Sequence, residues 1–575
     1  MAPEKTMTGY PSIDKPWLKY YSEEAINAKL PECTIFEYMR NKHLNHLDWI
    51  ALNYFDRKIT YRELFEKIEK TAKAFVAMGV KRGDIVVTAT VTTPETIYIL
   101  YALNCIGAIP NMVDPRTGVE GIRAYINEVK AKYVITLEVA YPKIEKAIEG
   151  TTVERILITS PGDSLPVIKK AFYKMSNRSP RLSEKCVRWA EFLKKGKNIS
   201  ICYPPYEKDT CCVIVHTGGT TGSPKGVMLS NDNLNAAVHQ SLNSPLLMEE
   251  RDVFLNILPP FVAYGMVLGI HTAVSAGWQS VIIPKFDVNV FDKLIVKYRP
   301  AGIMGIPTYF EKIMESKLLQ DMDLSFLKVV LVGGDRTSVE FENKVNQFFY
   351  QHGCKKQLSK GYSMTEASST ATISFENANI AGTNGIPLSK TVIATFDPET
   401  EKELSYGELG ELCIQTPTMM MGYYGQKEET DKVIKVHGDG SKWIHTGDMG
   451  TVDENGFITV SGRVKRLIIR FDGYKVFPTF IENVVLEHDA IENCSVVGLI
   501  DKGHMQGKLP IVFAVCRDEY KGREETIVSE LKALCLERLT EYSQPVEYRF
   551  IEHLPLTPIG KIDYRALEKM EEEEK

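Results

Sequence analysis

The chain runs to 575 residues, more than one ordinary core can organise, and at about 150 residues per domain it allows several units. Hydrophobic residues make up 44% and charged residues 25%, the balance of a soluble globular protein, and the net charge of −5 gives no electrostatic case for nucleic acid as the main partner. Its 11 cysteines are scattered without a C-x-x-C pair, which argues against a disulfide framework and suits reduced thiols in a cytoplasmic protein.

The opening Met1-Ala2-Pro3-Glu4-Lys5-Thr6 lacks the pattern of a secretory signal. Residues 61–78 carry helical periodicity, 84–91 are rich in β-branched residues, 94–106 are helical again, and Gly107-Ala108-Ile109-Pro110 leads into a further strand. The alternation recurs at 253–258, 280–283, 302–305 and 328–332, which predicts a layered α/β fold with largely parallel sheets. Between them, residues 261–277 form the most apolar long segment; three glycines and a histidine make it buried core rather than a membrane span.

Residues 165–197 stand out by charge, with Phe172, Tyr173, Trp189 and Phe192 interleaved among lysines and arginines. Two readings stay open: a solvated helical insertion, or a basic amphipathic surface in peripheral contact with a membrane. From about 385 the texture becomes short strands between turns, a β-rich part reaching 461. Residues 462–575 have their own strands (494–499, 511–516) and a helix near 526–539, which predicts an N-terminal domain over 1–461 and a smaller α+β domain after it.

The apolar run 211–215 leads into Thr217-Gly218-Gly219-Thr220-Thr221-Gly222-Ser223-Pro224-Lys225-Gly226, and helix-like residues 233–238 follow. Strand, loop and helix in that order let backbone N–H groups, hydroxyls and a lysine hold phosphates. The spacing is not that of a Walker A loop, because Pro224 precedes the lysine and Gly226 follows it. Nucleotide chemistry other than hydrolysis of the terminal phosphate is the expectation.

Four further motifs follow in order: Gly361-Tyr362-Ser363-Met364-Thr365-Glu366, His445-Thr446-Gly447-Asp448, Gly462-Arg463-Val464-Lys465-Arg466, and Thr557-Pro558-Ile559-Gly560-Lys561. With the loop, they resemble the acyl-adenylate-forming (AMP-binding) superfamily over residues 60–567, most like a bacterial fatty-acid or acyl-CoA synthetase. The resemblance implies an ATP-dependent acid–thiol ligase that uses Mg²⁺ and coenzyme A. The acid becomes acyl-AMP with loss of pyrophosphate, and a thiol then takes the acyl group. A carrier-protein phosphopantetheine arm is the alternative acceptor, and a non-catalytic nucleotide-binding protein the remote one.

The resemblance also distributes roles. Thr217, Gly218, Gly219, Thr220, Thr221, Gly222 and Lys225 are to hold the β- and γ-phosphates, Thr365 the α-phosphate, and Glu366 the magnesium, for which a carboxylate is the hard oxygen ligand. Tyr362 offers a face to adenine, Gly334 and Asp335 its edge, and Asp448 with Arg463 the ribose. Lys561 bridges carboxylate and α-phosphate when a mobile C-terminal domain closes about a hinge at Lys465, and Gly473 lines the coenzyme A tunnel.

The acyl pocket is expected at Val262, Tyr264, Gly305 and Gly333. Val262 stands where the family commonly has histidine, and with Ala263 it offers no carboxylate to a substrate ammonium. An unpaired ammonium there is costly, so an apolar acid is expected. Arg470 is left without a role.

Overall fold

The computed structural model describes residues 7–177, 180–217, 224–245, 248–334, 337–463, 466–472, 474–501, 503–504, 507–556 and 562–573. Among them, two largely parallel sheets carry the N-terminal part. The first runs Ser359–Lys360, Val329–Val332, Gly302–Gly305, Val253–Asn256, Gln279–Ile282, Ile50–Tyr54 and Arg57–Thr60, with the last strand alone antiparallel. The second begins at Cys186–Arg188 and passes through Arg155–Thr159, Tyr133–Leu137, Ile85–Ala89 and Ile109–Val113 to Cys211–His216, all parallel. Helices cover both faces, so strands such as Tyr133–Leu137 and Val329–Val332 are buried at every residue and read as unbroken apolar runs.

The expected alternation is what forms. The Tyr61–Met78 helix is opened by Thr60, whose side chain accepts from Glu63 N, and closed by Gly79 at φ 97°, a conformation that glycine adopts without steric cost. The Pro94–Cys105 helix is buried along its whole length, which explains why it lacks a polar face. Within the apolar 261–277 segment lies a π-helix, Gly265–Thr272, packed in the core. Gly265 is required there, since a Cβ would sit 1.8 Å from the Pro259 carbonyl oxygen. Among the described residues no helix is long and apolar enough to cross a membrane.

Two expectations need correction. The loop after Cys211–His216 does not run into a helix: it turns back as the strand Gly226–Ser230, antiparallel to the first, and only then comes the Asn231–Leu242 helix. Val227, Met228 and Leu229 form a run too short to stand out beside the loop, so strand–loop–strand replaces strand–loop–helix. Second, residues 165–197 are not one unit. Trp189 and Phe192 are buried in the Trp189–Lys195 helix, whereas the Val167–Ser176 helix buries no side chain.

The β-rich part is an antiparallel sheet of Val392–Phe396, Gly410–Gln415, Lys442–Val452 and Ile434–Val436, with Ile458–Arg463 paired to Lys442–Val452. Arg463 is therefore still part of this sheet. Beyond it, Ile491–Ile500, Lys508–Cys516 and Glu547–Phe550 form a separate sheet with its own core of Ile481, Val485, Val496, Val512, Leu531 and Cys535.

Candidate active site

Parallel strands expose their C-terminal ends together, which is where ligands sit in such sheets. Gly305 ends one strand of the first sheet and Gly333 follows its neighbour, the Gly333 N–H donating to the Gly305 carbonyl at 3.0 Å. Tyr362 lies just past the third, Ser359–Lys360. That strand is fixed by a buried ion pair, Lys360 Nζ to Glu342 Oε2 at 2.6 Å, and burial pulls the lysine pKa down. Gly333 borders open space, since a Cβ there would meet nothing within 4 Å, and Gly334 sits at φ 81°.

Tyr362, Asp448 and Arg463 come together from three distant motifs. Tyr362 donates its hydroxyl to Asp448 Oδ2, and Arg463 Nε lies 2.7 Å from Asp448 Oδ1. Burial, and then the Asp448 charge, push the Tyr362 phenol well above its ordinary range, so it remains a donor. Asp448 is buried between Tyr362 and Arg463.

The turn bearing Asp448 is itself held. Gly447 (φ 69°) donates its N–H to Glu411 Oε1 at 2.9 Å, while Glu411 Oε2 lies 2.8 Å from His445 Nδ1. With a carboxylate at Nδ1 that nitrogen carries a proton, and His445 Nε2 lies 3.0 Å from His437 Nε2. Burial raises the Glu411 pKa, but the hydrogen bonds from His445 and Gly447 outweigh it and leave the group below the usual carboxylate range. Cys413 adds a thiol 3.5 Å from the same His445 nitrogen.

Thr365 and Glu366 occupy the tip of a tight hairpin, Ser363–Met364 against Ser369–Thr370. Tyr423 donates its hydroxyl to Glu366 Oε1 at 2.6 Å, and the Met420 N–H donates to the Glu366 carbonyl at 2.8 Å. Tyr423 belongs to Gly422–Tyr423, which pairs with Gly226–Ser230 beside the loop. Its ring also lies under Lys225, with Nζ 4.7 Å from the centroid. One tyrosine therefore ties the loop lysine to the Glu366 carboxylate.

The loop is closed at its base. Thr217 N donates to the Lys225 carbonyl and Lys225 N to Thr217 Oγ1, each at 3.1 Å. Lys225 Nζ is paired with Glu429 Oε2 at 2.5 Å. On the other wall, Val262 is half-buried against the main core and Tyr264 places its hydroxyl 3.7 Å from Met304 Sδ. Arg470, left unassigned, is tied to Asp472 Oδ2 at 2.9 Å and to the Tyr542 carbonyl at 3.2 Å.

Gly218, Gly219, Thr220, Thr221, Gly222, Asp335, Lys465, Gly473 and Lys561 lie outside the described residues. Sequence reasoning missed Tyr423, Glu411, Glu429, His437 and the Lys360–Glu342 pair. His445 lay inside a quoted motif, and the alternation around Cys413 marks a strand whose polar neighbour Glu411 is a signal that could have been read.

A loop closed beside a lysine, a carboxylate at a hairpin tip, and Tyr362 past a parallel strand meeting Asp448 and Arg463 of the antiparallel sheet form a site suited to a nucleotide. The AMP-binding enzyme family matches residues 40–424, and the AMP-binding enzyme C-terminal domain matches 481–561. The chain belongs to the AMP-binding enzyme family. It is similar to a long-chain-fatty-acid–CoA ligase of Bacillus subtilis (strain 168), 30% identical over 568 residues, covering 97% of this chain and 98% of that one. A ligase of the same name from Salmonella typhimurium is 27% identical over 519 residues, covering 88% of this chain and 89% of that one. In fold it is similar to ATP-bound MatB from Rhodopseudomonas palustris, with a TM-score of 0.80 at 22% identity over 95% of this chain and 100% of that one.

The protein is thus an ATP-dependent, AMP-forming acid–thiol ligase, with Mg²⁺ and coenzyme A among its requirements. The residues present fit the metal: Glu366 presents a carboxylate with one oxygen steadied by Tyr423, the hard donor that magnesium takes.

Proposed function

We propose that the acid is a fatty or otherwise apolar one, activated as acyl-AMP and passed to coenzyme A. The observation that carries this is that Val262 and Ala263, read as part of the acyl pocket, are apolar and packed on the core, and neither side chain could pair with a substrate ammonium. The curated relatives named for long-chain fatty acids support the same class.

In this reading, Thr217, Lys225 and the loop between them grip the leaving pyrophosphate. Thr365 meets the α-phosphate, Glu366 holds the magnesium that neutralises phosphate charge, Tyr362 packs on adenine, and Asp448 with Arg463 takes the ribose. Lys561 supplies a cation between carboxylate and α-phosphate, where charge builds in the transition state. The body after the Ile458–Arg463 strand rotates about Lys465, withdrawing Lys561 and opening a thiol tunnel past Gly473. A carrier-protein phosphopantetheine presents the same thiol and is the second acceptor. Within residues 165–197, peripheral membrane contact is left to the exposed Val167–Ser176 part, since Trp189 and Phe192 are buried.

A panel of acids assayed by pyrophosphate exchange, with thioester formation followed with and without coenzyme A, tests the proposal. Medium- or long-chain acids are expected to outperform amino acids by more than about tenfold, because a buried unpaired ammonium is costly. Amino acids equal to or better than them would defeat the apolar reading.

A further inference from the structure

The Val167–Ser176 helix is amphipathic in the inverted sense. Val167, Ile168, Phe172 and Met175 are 86%, 73%, 65% and 82% exposed. Ile168, Phe172 and Met175 stand four and then three residues apart, so they form one stripe on one face. The opposite face fastens the helix to the body by polar contacts. Lys169 Nζ donates to the Phe55 carbonyl at 2.9 Å and lies 3.0 Å from Asp56 Oδ2. Lys170 Nζ donates to the Asp163 carbonyl at 2.8 Å, and Tyr173 donates its hydroxyl to Glu138 Oε1 at 2.9 Å. Single exposed apolar side chains are ordinary, but a contiguous stripe on a short helix held by its polar side marks an interaction surface.

Charge decides what covers it. Residues 165–177, the helix and its ends, hold Lys169, Lys170 and Lys174 and no acidic residue, within a chain of net charge −5. A second copy docking through the same patch would bring these like charges face to face, as a two-fold interface demands. An anionic bilayer offers the complement: hydrocarbon for the stripe and negative headgroups for the flanking cations.

We propose that this helix docks the enzyme on anionic lipid, with Ile168, Phe172 and Met175 entering the boundary between headgroups and acyl chains, and Lys174 among the headgroups. Its purpose, drawing substrate from the bilayer, rests on the apolar-acid reading; the docking itself does not.

Co-sedimentation of the full chain with vesicles tests it, using phosphatidylcholine alone and phosphatidylcholine with phosphatidylglycerol in equal parts. Binding to the anionic vesicles is expected to be at least about tenfold tighter and to weaken with salt. The double substitution Ile168→Glu and Phe172→Glu should cut that binding at least about tenfold, with turnover of a soluble short-chain acid retained. Lys174→Glu should weaken binding to the anionic vesicles only. Absence of binding by the unmodified protein, or equal binding by the double variant, would overturn the proposal. So would a double variant that loses self-association while vesicle binding stays unchanged. None of these readouts depends on acid preference, so failure of docking and failure of the acid panel are separate results.

Discussion

Lys225 Nζ and Glu429 Oε2 lie 2.5 Å apart, joining the phosphate loop to the Lys427–Val433 helix across more than two hundred residues of sequence. The lysine expected to receive phosphate is thus already neutralised, and Lys432 competes for the same carboxylate. Glu429 is held at about 2 by hydrogen bonds first from Lys225 and then from Lys432, so it stays ionised at working pH. ATP must draw Lys225 away from it. Glu429→Gln is expected to lower the KM for ATP about two- to fivefold, the scale of one exposed ion pair, more at low salt than at high. An unchanged KM in steady-state assays at low ionic strength would contradict this.

Tyr423 links the loop lysine to Glu366, the carboxylate proposed to hold magnesium. Tyr423→Phe keeps the ring under Lys225 and removes the hydroxyl that steadies Glu366. The magnesium concentration for half-maximal rate should rise about tenfold, as when a supporting group behind a metal ligand is lost. A magnesium titration identical to that of the unmodified enzyme would remove Tyr423 from the site.

Glu411 holds the turn bearing Asp448, which the proposed function assigns to ribose. Glu411→Gln keeps one carbonyl acceptor but cannot accept from both the Gly447 N–H and His445. Loss of one charge-assisted hydrogen bond predicts a rise of about tenfold in the KM for ATP, with kcat changed less. Equal falls in kcat for all substrates, with KM unmoved, would show a merely structural role.

How much of this was legible in the sequence depends on range. Motif residues such as Tyr362, Asp448 and Arg463 could be named because each lies in a short recognisable run, and the fold then gathers them. Glu429 and Tyr423 carry no local signal: a carboxylate in a helix, or a tyrosine in a two-residue strand, looks ordinary until its partner from another element is placed beside it, whereas Glu411 had only the weak alternation of its strand. The strand Gly226–Ser230 was hidden by its brevity, and the inverted Val167–Ser176 helix by its charge, since composition does not show which face turns inward. Helix Tyr61–Met78, by contrast, was readable end to end because its apolar spacing and terminal glycine agree.

Stability should fall on the acid side. Burial pulls His43 and His216 down to about 4 and His271 to about 3, so all three stay neutral in the fold while the unfolded chain takes up protons below about 6.5. Stability is therefore full above 6.5 and lost as pH falls toward 4, on the order of 3 kcal/mol for each histidine. Glu95 and Asp163 act oppositely: burial raises them to about 7 and about 6, so their contributions are present at low pH and lost as pH rises through those values. Three histidines outweigh two carboxyls. Chemical denaturation at pH 6.5 and 4.5 should show a clear net loss, smaller in His216→Gln; a flat profile would contradict the burial of neutral histidines.

The central claim is that a carboxylate oxygen attacks the α-phosphorus before any thiol acts. Turnover of an apolar acid labelled with ¹⁸O in its carboxylate, with ATP, Mg²⁺ and coenzyme A, tests this by mass spectrometry of the nucleotide product. The account predicts AMP carrying one labelled oxygen and unlabelled pyrophosphate. Label in inorganic phosphate with ADP as product, or AMP without label, would contradict it.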